Sequence, residues 1–470
     1  MNLKSIFMSM LAVAALASCN NDDEIPGGTQ EANASSWVGI KVSIPASSFG
    51  GTRAADANDA NADESETAIK TISLYYKKAD GTVDVLTAPL DVTTEFNQTG
   101  ATYTAKKAVK IPVAAGSSVD IYAVVNNGAV TNPIRPNWFN LRGTAADPDI
   151  NYWTAAASEL SAADKGFVMT GKGTGTTTEA EAGATTHASI TIGRAVAKVL
   201  VTASDGGINP TADFDETNIN GVSGKFKGNS LCWTIGNKNK KLYLLQNNVG
   251  GIVKDPNWSK IPAGTGDAAL AGDYEDRNPT TYSKLVPAYS DVIETGYKTD
   301  GSSCVQYCNE NTNEEYQYGN TTFISVKAVF VPNKIVTTVS GSVDTNDLNL
   351  EAETNTGGVA TFYYYSAESK YLTEAAYEAA KTAGLSGSDF KGPYNGGECY
   401  YFVPITDKDG KTGVLRNSYY TMRIKSLRAP GEPTPNPGDN DDPVVQNSWI
   451  GVNFTVAPWT VQSMGDFDLE

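Results

Sequence analysis

Histidine is almost missing from this chain: one residue, His187, stands in 470. That removes the usual general base and the commonest metal ligand, so Ser-His-Asp, Cys-His and multi-histidine zinc sites are excluded. Positive charge is also short. Lysine and arginine together number 36 against 53 acidic residues, giving a net charge of -17 and a pI near 4.6. A surface of that sign repels nucleic acid and does not dock on an anionic membrane through charge. No glycine-rich phosphate loop follows a strand and opens a helix. Carboxylate-pair glycosidases need no histidine, but no acidic pair stands out from the acidic background. The expectation is a protein that is not an enzyme, with no cofactor and no metal site. His187 itself, in Thr185-Thr186-His187-Ala188, reads as an exposed turn residue beside a strand.

Long apolar runs are missing as well, apart from one near the start. Lys4 precedes an apolar stretch over residues 6–17, too short to span a bilayer as a helix. It ends in Leu16-Ala17-Ser18-Cys19, which matches the lipoprotein processing box. Residues 1–19 are therefore expected to be a lipoprotein signal peptide, with Cys19 acylated by palmitate and left as the new first residue. The next residues, Asn20-Asn21-Asp22-Asp23-Glu24, resemble the acidic tag that sends some lipoproteins to the outer face of the outer membrane. Cysteine is sparse beyond this point. Cys232, Cys304, Cys308 and Cys399 allow three pairings, among which the sequence does not choose, and buried thiols are an equally good reading.

What the chain has in plenty is short alternating segments. Apolar residues recur at every second place in Ile72-Ser73-Leu74-Tyr75-Tyr76, over 119–125, 190–201, 233–245 and 323–332, and again near 362–365, 400–405 and 419–424. Turn clusters such as Ala79-Asp80-Gly81 and Asp409-Gly410-Lys411 separate them. Helical signals are few: Thr373 is placed to cap residues 374–383 with Gly384 just beyond, and 158–165 suits another short helix. An all-β chain of two β-sandwiches follows, one over 54–200 and one over 201–429.

Two polar stretches interrupt this pattern. The Asp/Asn/Ala-rich run over 56–66 holds no apolar residue larger than alanine and is expected to be flexible. The second, over 430–447, opens Pro430-Gly431-Glu432-Pro433-Thr434-Pro435 and reads as an extended spacer holding something away from the body. Beyond it, over 448–470, lies Ser448-Trp449-Ile450-Gly451-Val452-Asn453-Phe454-Thr455-Val456, and Trp459 follows shortly after. Near the other end stands Ser36-Trp37-Val38-Gly39-Ile40-Lys41-Val42-Ser43-Ile44. The two match position for position, so that Val38, Ile40, Val42 and Ile44 correspond to Ile450, Val452, Phe454 and Val456. They read as alternative occupants of one groove. Arg53, in Phe49-Gly50-Gly51-Thr52-Arg53-Ala54, supplies the switch: a small, glycine-rich loop is a good protease site. Cutting between Arg53 and Ala54 would remove the whole of 20–53, tether and first strand together, leaving an open groove that sheet proteins avoid.

In that order, these pieces resemble a type V pilin, the fimbrillin family of Gram-negative anaerobes, and most nearly its minor-fimbrium shaft subunits. The resemblance also rests on Arg194-Ala195-Val196-Ala197-Lys198-Val199, Thr321-Thr322-Phe323 through Pro332, Val414-Leu415-Arg416-Asn417-Ser418-Tyr419-Tyr420, and Pro458-Trp459. It implies two transthyretin-like, Greek-key β-sandwich domains, arginine-specific proteolysis at the cell surface, and a C-terminal donor strand that fills the groove of another copy. The expected partners are further copies, accessory fimbrial subunits, an arginine-specific protease, and the outer membrane through the lipid of the precursor. The rival expectation is a carbohydrate-binding surface lipoprotein, with Phe362-Tyr363-Tyr364-Tyr365, Tyr400-Tyr401-Phe402 and Tyr419-Tyr420 stacking on sugars; a tip or anchor subunit is a nearer variant.

Overall fold

The computed structural model describes residues 35–44, 64–129, 133–139, 152–162, 164–184, 187–216, 223–259, 270–287, 304–405, 413–442, 444 and 450–458. The chain is all-β. Its first sheet has nine strands: β1 (Ser36–Ser43), β2 (Thr71–Lys77), β3 (Val83–Asp91), β4 (Phe96–Thr99), β5 (Thr102–Ala105), β6 (Val109–Ile111), β7 (Ser118–Val125), β8 (Met169–Thr176) and β9 (His187–Arg194). They lie in the order β3-β2-β7-β8-β9-β1-β5-β4, with β6 also on β1. Alternation in the sequence decides which face turns inward. Ile72 and Leu74, Ile121 and Ala123, and Ile190 and Ile192 are all buried, in one core that takes in Trp138, Trp153 and Leu160.

The second half packs two sheets on a shared core. One comprises β10 (Val196–Ala203), β12 (Val305–Asn309), β15 (Ser418–Leu427) and β16 (Ile450–Pro458), in the order β12-β10-β15-β16. The other is built on β11 (Cys232–Gly236), β13 (Phe323–Pro332) and β14 (Glu398–Pro404), with β13 between its two antiparallel partners. Val199 and Val201 of β10 meet Trp233, Ile324, Val326 and Tyr401 of the facing sheet, which makes this half a sandwich. Between β13 and β14 the chain adds a five-stranded sheet and the helix Glu374–Thr382, with a small core of their own around Val336, Leu372 and Ala376. Thr373 caps that helix by accepting from the Ala376 amide, as expected, and Gly384 follows in the left-handed region at φ 107°.

Several boundaries differ from the expectation. The run over 190–201 is two strands, because Ala195 carries the chain from β9 in the first sheet to β10 in the second. The run over 233–245 breaks after Gly236, where Asn237 takes φ 54°. The helix expected over 158–165 is one turn, Ala157–Leu160. His187 is exposed, but as the first residue of β9, paired with Gly39 of β1. Of the acidic run expected to be flexible, Glu64–Thr67 instead forms a turn of helix with Glu66 wholly buried, and residues 56–63 lie outside the described residues.

Candidate functional site

Strand β1 sits inside the first sheet. Gly39 to Ser43 run parallel to β9, Lys41 to Ser43 run antiparallel to β5, and Ser36 to Val38 run antiparallel to β6. Trp37 also exchanges backbone hydrogen bonds with Thr178, at 2.9 and 2.8 Å. Val38, Ile40 and Val42 show no exposed surface, while Trp37 and Ile44 are half-buried and Lys41 is exposed. Part of the floor beneath the strand is bare backbone. A Cβ on Gly175 would lie 2.9 Å from the Val38 methyl and 2.8 Å from the Ala188 methyl, so only glycine admits so close an approach. Without β1, the edges of β9, β5 and β6 would stand open together.

Strand β16 occupies an edge of the other half. It runs antiparallel to β15, with Leu427 opposite Ile450, Ile424 opposite Val452, Met422 opposite Phe454 and Tyr420 opposite Val456. Ile450 and Val452 are 3% exposed and belong to the core of the second half. Among the described residues the strand is paired on one side only. In the single chain it is thus folded onto its own sheet, and the expected strand held clear of the body is corrected. Phe454 and Val456 are placed here by backbone register, and Trp449 and Trp459 lie outside the described residues. Cys19, Arg53 and Ala54 lie outside them too.

The spacer differs most from its expected form. Proline every second or third residue suggested a chain standing off the surface, yet Pro430 and Gly431 are buried. Glu432 and Tyr400 exchange both backbone hydrogen bonds, at 2.7 and 2.8 Å. The Tyr394 hydroxyl donates to the Gly431 carbonyl at 2.9 Å, and Lys391 pairs with Glu432 at 2.8 Å. Farther on, the Gly319 amide donates to the Asn440 carbonyl at 2.9 Å and the Tyr318 amide to that of Asp442 at 3.1 Å. No composition rule detects such anchors, because most of them are made by the spacer's backbone.

A buried ionic group that sequence reasoning missed ties the two halves together. Both carboxylate oxygens of Glu66 lie near Lys198 Nζ of β10, at 2.9 and 3.0 Å, and neither side chain is exposed. The Tyr307 hydroxyl of β12 donates to Glu66 Oε1 at 2.5 Å, and Arg194 Nε donates to the Glu66 carbonyl at 2.8 Å. Burial lowers the Arg194 pKa to about 10, which still leaves it charged at neutral pH. Lys198 in the Arg194–Val199 segment was the only available signal, since a lysine inside an apolar strand demands a buried acidic partner. The aromatic runs proposed as sugar platforms pack inward: Phe362, Tyr365, Tyr400, Tyr401, Phe402, Tyr419 and Tyr420 are all buried. Tyr363 stacks on Tyr377 with ring centroids 3.7 Å apart. Among the described residues, no group of three or more acidic, histidine or cysteine side chains is placed to hold a metal.

One of the two matching strands thus lies inside the first sheet and the other at the end of the four-stranded sheet of the second half. Residues 40–221 match the model of the major fimbrial subunit protein (FimA), and residues 393–464 match the C-terminal model of the major fimbrial subunit protein type IV, fimbrillin. The chain belongs to the fimbrillin family of fimbrial subunits. Similar solved structures include a fimbrilin from Porphyromonas gingivalis, with 14% identity and a TM-score of 0.43, covering 92% of this chain and 99% of that one. A cell adhesion protein from Parabacteroides distasonis has 12% identity and a TM-score of 0.43, over 91% of this chain and 100% of its own. A fimbrial assembly protein from the same organism has 9% identity and a TM-score of 0.36, over 90% and 96%. No functionally curated protein matches the sequence. Membership in this family gives the chain a structural role in a surface fimbrium, together with other fimbrial subunits.

Proposed function

We propose that the chain is exported as a lipoprotein acylated at Cys19, trimmed between Arg53 and Ala54, and polymerised by strand exchange. In this reading β16 of one copy fills the slot that β1 leaves in the next. The observation that carries it is the repeat: the interior strand of the first half and the edge strand of the second share one sequence pattern. The direction of transfer has a physical reason. An empty β1 slot exposes unpaired backbone on both flanks and uncovers the core that Val38, Ile40 and Val42 fill. Moving β16 opens one edge and closes two. Each ladder hydrogen bond contributes about 0.5–1.5 kcal/mol net, and each buried aliphatic side chain about 1.5–3 kcal/mol. Because β16 is already extended on β15, its backbone entropy of roughly 1–2 kcal/mol per residue is not lost a second time. Strand addition is a known recognition mode, and head-to-tail contacts that do not close build filaments.

A peptide of residues 447–460 tests this. It should bind the trimmed chain and not the precursor, whose slot β1 occupies. Equal binding to both forms, or to neither, would refute the shared-slot reading. Arg53→Ala should accumulate as a lipid-bound, unpolymerised precursor, and fimbrial subunits should begin at Ala54. Acylated Cys19 still attached within fibres would contradict the trimming step.

A further inference from the structure

We infer that residues 429–442 form a permanent strap of the second half, which stays fastened while β16 leaves. The inference rests on the exchange reading above and adds where the exchanging segment begins. The first end of the strap is held by the paired backbone bonds of Glu432 with Tyr400, by the Glu432–Lys391 ion pair, and by tyrosine hydroxyls. Tyr401 donates to the Ala429 carbonyl at 2.6 Å and Tyr394 to that of Gly431 at 2.9 Å. Gly431 lies so close to the Tyr400 carbonyl that a Cβ would collide with it. The second end is held by Asn440 and Asp442 on the amides of Gly319 and Tyr318, and by the Arg277 guanidinium donating to the Asn440 side chain. Val444 continues the pattern, its amide donating to the Tyr316 carbonyl at 3.2 Å.

None of these partners belongs to β15 or β16, so removing β16 leaves every one of them in place. The consequence is geometric. With the strap fixed, the chain from Val444 to Ile450 spans at most about 22 Å when extended, against about 72 Å if everything from residue 430 were released. The β1 slot of the neighbouring copy must therefore open close to Tyr316 and Tyr318, which makes the junction between copies short. A second copy of this chain is the partner that this surface faces.

The test fastens the strap covalently. Tyr400 and Glu432 form a hydrogen-bonded antiparallel pair, with Cα atoms about 5.5 Å apart as a disulfide requires. In a trimmed Tyr400→Cys/Glu432→Cys subunit, the oxidised form should polymerise at the rate of the reduced form. Polymerisation by the reduced form alone would overturn the inference and leave strand exchange standing. Hydrogen exchange on unaltered subunits gives a second readout that needs no variant. The amides of Glu432 and Gly319 should be as protected in fibres as in monomers, and loss of that protection on assembly would overturn the strap. A chain ending at Val444 that still polymerised would instead remove the exchange reading, and the strap inference with it.

Discussion

Replacing Glu66 by glutamine should destabilise the trimmed subunit by about 3 kcal/mol or more. Lys198 and Glu66 are both wholly buried and meet at 2.9 Å, so the lysine would keep its charge in a dry site without that carboxylate. Breaking a buried pair from one side costs about 3–5 kcal/mol, because desolvation of the remaining ion is no longer offset. The glutamine keeps the shape, so no cavity contributes, and its carbonyl can still accept from Tyr307. With a urea dependence of about 3 kcal/mol/M, the unfolding midpoint should fall by about 1 M. Glu66 lies in the first half and Lys198 in the second, so the variant should also separate one unfolding transition into two. Adding Lys198→Met removes the stranded charge and should recover most of the loss. A shift below about 0.3 M would mean that the pair does not tie the halves, and so would a double variant as unstable as the single one.

Gly175→Ala places a methyl against Val38 and Ala188, and overpacking of this kind costs about 1–3 kcal/mol, so β1 of the precursor should become sensitive to protease before the rest; unchanged digestion would contradict the packed floor. Burial raises the Cys308 thiol to about 12 and the Cys399 thiol to about 11, so at pH 8 both carry far less thiolate than an open cysteine. Mass spectrometry after alkylation should find both unmodified until the chain unfolds, and rapid labelling of either would contradict their burial. In the peptide of residues 447–460, Phe454→Asp should weaken binding to the trimmed chain at least tenfold, because alternation sets it on the face of the buried Val452. Asn453→Asp, on the other face, should change binding less than threefold, and equal losses would mean that the segment is not read as a one-faced strand.

Much of the fold was legible because apolar, β-branched and aromatic runs bounded by turn residues mark strands. The stretches around Ile72–Tyr76, Val119–Val125 and Phe323–Pro332 each became the expected strand. Legibility failed at a joint between two strands. The alternating β9 runs into the wholly buried β10 with only Ala195 between them and no turn residue to mark the joint, so the crossing at Ala195 was hidden. The strap was hidden for another reason: proline content reports what a segment cannot do alone, whereas backbone carbonyls of any sequence can be captured by a neighbouring surface. The buried run Asn309-Glu310-Asn311-Thr312-Asn313 gave no warning either. Its Asn309 and Asn311 side chains satisfy backbone carbonyls of Ala155, Asn239 and Asn320, partners far away in the sequence or visible only once the loops close. For the candidate site, the repeat located both strands, but only the structure tells the interior strand from the edge strand.

The central claim is that β16 leaves its own sheet and takes the place of β1 in another copy, and a paired-cysteine experiment tests it most directly. The sequence repeat aligns Asn453 with Lys41, which faces Thr104 of β5 in the intact chain. Within its own chain, Asn453 is instead opposite Arg423. A trimmed Asn453→Cys/Thr104→Cys subunit, oxidised after assembly, should give a ladder of covalently linked multimers on a denaturing gel, and each single variant should give none. The Asn453→Cys/Arg423→Cys pair should close within the monomer before assembly and block it. Fibres of the first variant that dissolve into unlinked monomers, with the second variant polymerising freely when oxidised, would contradict the account.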